Sequence, residues 1–216
     1  MRLSLIAPGD IEFHFQELLK IKKEKFENEI NNIAKALADS GVEIVILPDK
    51  GLSFEIGKLY KKSGGKKIIA ALPQSDMTFG IKHLEPYINE KLNGKPVFDE
   101  IIDTETWFKH DLIKGLLGDA ILYLGASPGT NGELNYAIYL YKIITNQKEN
   151  LQVLKEKIHS ELRAGENFTI FVYSPFLKNK KLPFEVEAYI KKFKIKLIYV
   201  KNSQDLKIQL IKFKSF

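Results

Sequence analysis

The residues best placed to do chemistry are Gly125-Ala126-Ser127-Pro128-Gly129-Thr130-Asn131-Gly132-Glu133. They follow an apolar run, Ala120-Ile121-Leu122-Tyr123-Leu124, and precede a helical pattern from Leu134 to Ile144. A strand, a small-residue loop and a helix N-terminus together make an anion site. The first helical amides have no intrahelical partner, and the helix dipole favours negative charge there. Glycine lets a phosphate approach the backbone, Thr130 adds a hydroxyl, and Ser127 and Asn131 add secondary donors. Glu133 projects a carboxylate from what the spacing makes the first helical turn. A phosphate repels a carboxylate, so Glu133 is expected to face another part of the ligand, such as a sugar hydroxyl or glycosidic carbon.

The elements that must position these residues alternate along the chain. Strands are expected at Leu3 to Ala7, Val42 to Leu47, Lys67 to Leu72, Val97 to Ile102, 120–124, Phe168 to Tyr173 and Lys196 to Val200. A long helix carries Phe26, Ile30, Ile33, Ala34 and Leu37 on one stripe, with Gly41 as its C-terminal cap. Further helices are expected over Phe54 to Lys62 (N-capped by Ser53), Leu84 to Leu92, Trp107 to Leu117, Leu151 to Leu162, Phe184 to Phe193 and Asp205 to Ile211 (capped by Ser203). Strand–helix alternation gives an α/β, Rossmann-like, doubly wound fold. Its mainly parallel sheet has six or seven strands and helices on both faces. Strands 3–7 and 120–124 are expected to be adjacent. Ligands bind such sheets beyond the strand carboxyl ends. Three loops should meet there: Ala7-Pro8-Gly9, Pro48-Asp49-Lys50-Gly51 and Gly125 to Asn131.

The chain of 216 residues suits a single domain over 1–216, with 44% hydrophobic and 28% charged residues. No apolar run reaches the roughly 20 residues needed to span a bilayer, and no signal-peptide pattern opens the chain. Zero cysteines exclude disulfides and thiolate metal sites. A cytoplasmic protein is expected. The net charge is +6, but only Arg2 and Arg163 are arginines. Lysine interleaved with glutamate, as in residues 20–25, reads as a solvated surface rather than a nucleic-acid reader. His14, His83 and His159 lack partners at ligand spacing, so neither metal nor cofactor is expected.

Read together, these segments resemble the SLOG superfamily, which includes the Lonely Guy phosphoribohydrolases and the molybdenum-cofactor carrier proteins. The matching stretches are Leu3 to Gly41, then Ser63-Gly64-Gly65 before the strand ending in Pro73, then Gly118-Asp119-Ala120. The family's P-G-G-x-G-T-x-x-E loop matches Gly125 to Glu133, with Gly129, Thr130 and Glu133 in register. The first loop (Pro8, Gly9) and second loop (Gly51) then flank the ligand. The hydrolases carry an arginine nine residues before the strand aspartate; here that position is His110, followed by Asp111. Histidine is a part-time cation, so help from His110 to a phosphate is expected to fade as pH rises near about 6.5.

A second resemblance is to nucleoside deoxyribosyltransferases, carried by Asp111-Leu112, Asp119 and Glu133-Leu134-Asn135-Tyr136-Ala137. Both families act at C1′ of a nucleoside. The resemblance implies N-glycosidic hydrolysis of a nucleoside 5′-monophosphate, with Glu133 and His110 catalytic. A non-catalytic carrier or sensor of a nucleotide-like ligand is the alternative. It also implies a homodimer through the helix 134–144, where Tyr136, Tyr139, Tyr141 and Ile143 spread around the surface.

Overall fold

A computed structural model describes residues 1–146 and 151–214. Its core is a seven-stranded, all-parallel sheet. The strands are β1 (Arg2–Ile6), β2 (Glu43–Ile46), β3 (Ile68–Leu72), β6 (Glu100–Asp103), β7 (Ala120–Tyr123), β8 (Thr169–Tyr173) and β9 (Lys196–Val200). The spatial order is β6-β3-β2-β1-β7-β8-β9. β1 and β7 pair in the register Leu3 to Ala120 through Ile6 to Tyr123, so the expected adjacency holds. The order reverses between these two strands, which makes their carboxyl ends the switch point where a crevice opens.

Helices cover both faces. Packed on one face are α1 (Lys23–Asp39), α2 (Leu52–Lys62) and α8 (Ser203–Lys214). On the other are α4 (Trp107–Ile113), α5 (Pro128–Asn146) and α7 (Phe184–Lys192). A strand buried on both faces must be apolar throughout, which is why Leu3, Leu5, Ile44, Ile46, Leu122 and Ile121 are all fully buried. Gly41 ends α1 as expected, its amide donating to the Ala38 carbonyl at 2.9 Å. The described part of α6 (Leu151–Ile158) lies within the expected helix 151–162. Among the described residues no helix is long and apolar enough to cross a membrane.

Several local expectations are corrected. The segment after β1 first makes a π-helical turn, Glu12–Leu18, which buries His14 and Phe15 before α1 begins. Ser53 does not cap α2. That helix starts at Leu52, with Gly51 in the capping position and no side-chain cap. Ser203 does not cap α8 either, because Asn202 Oδ1 accepts from the Asp205 amide at 2.9 Å. The helix expected over 84–92 shrinks to a short 3-10 turn and α3 (Glu85–Ile88). It gives way to a two-strand hairpin, β4 (Lys91–Leu92) and β5 (Lys95–Pro96). Asn93 and Gly94 turn that hairpin with φ of +51° and +78°, the geometry that Asn-Gly favours.

α4 runs on through a 3-10 turn, Lys114–Leu117, instead of continuing as one α-helix. A Cβ on Gly115 would lie 2.7 Å from Ala137 Cβ. Glycine there lets the end of α4 sit directly on α5, and this contact builds the site.

Candidate functional site

α5 begins earlier than expected, at Pro128, so the small-residue loop is itself the first helical turn. The cause is a reciprocal cap. The Ser127 amide donates to Thr130 Oγ1 at 2.6 Å, and the Thr130 amide donates to Ser127 Oγ at 3.3 Å. Pro128 follows as the first helical residue, where its missing N–H costs nothing. Thr130 Oγ1 also donates to the Gly125 carbonyl at 2.9 Å. The Thr130 hydroxyl, expected to reach a ligand, is thus consumed in shaping the turn. Of the first three helical residues, Pro128 has no amide hydrogen and Thr130 has spent its own, leaving the Gly129 amide open. A Cβ on Gly129 would meet nothing within 4 Å, so the backbone there faces free space.

The three expected loops do converge. A cleft of about 140 Å³ is lined by Pro8, Gly9, Asp49, Lys50, Gly51, Ser53, Lys114, Ser127, Gly129, Thr130 and Glu133, with Ala7 and Leu47. The first two loops are in backbone contact: the Leu52 amide donates to the Pro8 carbonyl at 3.1 Å. Asp49 folds back so that its carboxylate accepts from the Lys50 amide.

The other expected site residues lie outside this lining. Gly125 packs against His14 and Pro8. Ala126 joins the core of the α5 face. Asn131 accepts from the Tyr123 hydroxyl at 2.6 Å, below the helix. Burial pushes that phenol up to about 12.

Glu133 sits in the second turn of α5, not the first, and its carboxylate is not free. Lys114 Nζ reaches both carboxylate oxygens, at 3.0 and 2.9 Å. The two side chains are only 4% and 12% exposed. Lys114 is the cleft residue that the sequence does not single out. Its signal was present: it stands four residues after His110, on the same helical face.

His110 is fully buried, with Nδ1 3.1 Å from Thr104 Oγ1 and Nε2 without a partner. Burial, reinforced by the nearby Lys114 charge, holds its pKa well below the ordinary histidine value. The expectation of a part-time cation titrating near 6.5 is therefore corrected: the imidazole is kept neutral, and Lys114 supplies the cation. Asp111 is exposed, yet partial burial first and the Glu133 charge second hold its carboxyl above the usual range. One ligating atom each of His110, Asp111 and Glu133 lies within 4.8 Å of the others. Spacing along the chain could not reveal this group, because Glu133 comes from a different helix.

No family model matches the sequence, and no curated protein does. Solved structures do match in fold. One is the molybdenum cofactor carrier protein of Chlamydomonas reinhardtii, with a TM-score of 0.55 and 14% identity over 100% of this chain and 98% of that one. Another is the molybdenum cofactor binding protein of the phototrophic bacterium Rippkaea orientalis, with a TM-score of 0.54 and 13% identity over 100% of this chain and 97% of that one. At this identity the likeness is one of architecture: the chain shares the Rossmann-like α/β fold of these proteins.

Proposed function

We propose that the cleft anchors the phosphate end of a small nucleotide-like ligand, and that the chain carries this ligand without cleaving it. The observation that carries the reading is the two-pronged grip of Lys114 on Glu133. A glycosidic carboxylate works by stabilising positive charge as it develops on the sugar. An ammonium about 3 Å away on both oxygens cancels that field. The same ammonium offsets the repulsion between Glu133 and a bound phosphate. The Gly129 amide, the Ser53 and Ser127 hydroxyls and Lys50 supply donors around the cleft. At about 140 Å³ the cleft is well under the roughly 300 Å³ typical of a site that encloses a whole small ligand. It suits the phosphate, with the remainder of the ligand lying across the surface. Pairing of two chains along α5 belongs to the same proposal. Tyr136 and Tyr139 stand 49% and 55% exposed there, while Tyr141 is buried.

Cleavage of a nucleoside 5′-monophosphate is the second reading. It is favoured by Glu133 and Gly129 lining one cleft, and it requires the phosphate to draw Lys114 away. Calorimetry against AMP, GMP, CMP, UMP and the molybdenum cofactor, with a base-release assay on the four nucleotides, separates the two. Saturable binding with no free base is expected. Base release that falls 100-fold or more in Glu133→Gln, about 2.7 kcal/mol of barrier, would establish the hydrolase instead. Exchange of one base for another would point to transferase chemistry. Absence of binding to any of these ligands would end both readings.

A further inference from the structure

The group formed by His110, Asp111 and Glu133 has a use that anion binding does not require. Its three ligating atoms lie within 4.8 Å of one another. Ligands about 2.0–2.2 Å from a shared tetrahedral ion stand roughly 3.3–3.6 Å apart, so the set must close by about 1 Å, within reach of side-chain rotation. Two different helices hold the set. His110 and Asp111 sit on α4, Glu133 sits on α5, and Gly115 lets the two helices meet.

The imidazole is already prepared as a ligand. It is kept neutral and fully buried, and Thr104 engages Nδ1 at 3.1 Å, as the hydrogen-bond partners of metal-bound histidines do when they orient the ring. Its other nitrogen, Nε2, is buried with no hydrogen-bond partner. An unpaired buried polar atom is costly, and in the tautomer whose Nδ1 donates to Thr104 Oγ1 the Nε2 lone pair is open to a metal ion, which removes that cost. A cation also stands at the group now, the Lys114 ammonium on Glu133.

We propose that His110, Asp111 and Glu133 form a divalent transition-metal site, which the metal occupies in exchange for the Lys114 ammonium. One imidazole with two carboxylates suits Zn²⁺, Fe²⁺ or Mn²⁺, and the nitrogen donor disfavours Mg²⁺ and Ca²⁺. Metal and lysine compete for one carboxylate, so deleting the lysine should strengthen the metal. The inference does not rest on the nucleotide reading, because the probe is the metal alone.

The test is titration of the full chain with Zn²⁺, followed by calorimetry and by equilibrium dialysis with metal analysis. One equivalent is expected to bind saturably, with Mg²⁺ at least 100-fold weaker. Asp111→Asn alters an exposed side chain and should leave the fold intact while weakening Zn²⁺ at least 10-fold. Lys114→Met should bind Zn²⁺ at least 10-fold more tightly than wild type. No saturable Zn²⁺ binding by wild type would overturn the proposal. So would binding that survives both Asp111→Asn and Glu133→Gln, which would place the ion at another histidine. A folded Lys114→Met with wild-type Zn²⁺ affinity would overturn the exchange. If Lys114→Met does not fold, the Asp111→Asn result decides alone.

Discussion

Lys114→Met will destabilise the protein by about 3–5 kcal/mol, the effect of leaving one partner of a buried ion pair without its counter-charge. Lys114 and Glu133 are 4% and 12% exposed, and both carboxylate oxygens are engaged. Water can compensate little of the loss. At about 2–4 °C per kcal/mol for a chain of this size, Tm should fall by roughly 6–20 °C. The informative partner is Lys114→Met combined with Glu133→Leu. Removing both charges removes the unpaired group, so the double variant should regain most of the lost stability. The coupling between the two positions, read from a double-mutant cycle in urea, should be large and favourable. A single variant as stable as wild type would mean that the ion pair is solvated and the cleft wetter than its burial implies.

Gly51→Ala should be the second most damaging change, for two separable reasons. Gly51 has φ of +142° and ψ of −174°, a region essentially closed to residues with a Cβ, at a cost of about 1–3 kcal/mol. Its Cβ would also lie 2.7 Å from Gly9 Cα and 3.0 Å from the Pro8 carbonyl oxygen. Both obstacles are backbone, which cannot rotate away, and overpacking of this kind adds about 1–3 kcal/mol more. The loops after β1 and β2 must part, and the cleft they share loses its wall. Ligand affinity should fall together with stability. Gly64→Ala is the control, because Gly64 also has positive φ, +80°, but nothing within 4 Å of its Cβ. It should show only the backbone share and leave affinity unchanged. Equal stability losses for the two variants would show that the loop contact is not rigid.

Architecture was readable because strand and helix periods are strong where elements are long. All seven sheet strands, the β1–β7 adjacency and the three converging loops follow from apolar runs and their breakers. Capping was less readable, since Ser53 and Ser203 have the chemistry of caps but Gly51 and Asn202 hold the positions. The hairpin at Asn93-Gly94 was hidden by a helical-looking flank, although its turn dipeptide was in view. In the cleft, the convergence of Glu133, Gly129 and the three loops was legible in the sequence, whereas the place of Lys114 was not. Its importance comes from burial against another helix, and one helix's sequence does not report which of its lysines will be covered. The protonation state of His110 was not legible for the same reason. Desolvation decides it, and desolvation is a property of the packed molecule.

The central place of β1 also sets the order in which the chain can mature. The partner of β1 along one edge is complete once residues 43–46 are made, whereas its partner along the other edge waits for residues 120–123. Synthesis at about 5–20 residues per second leaves that edge uncovered for on the order of several seconds. During that interval the nascent chain presents Leu3, Leu5 and Ile6 on a strand paired along one edge only, a ready template for another chain. Closure by β7 is a long-range pairing of the slow kind.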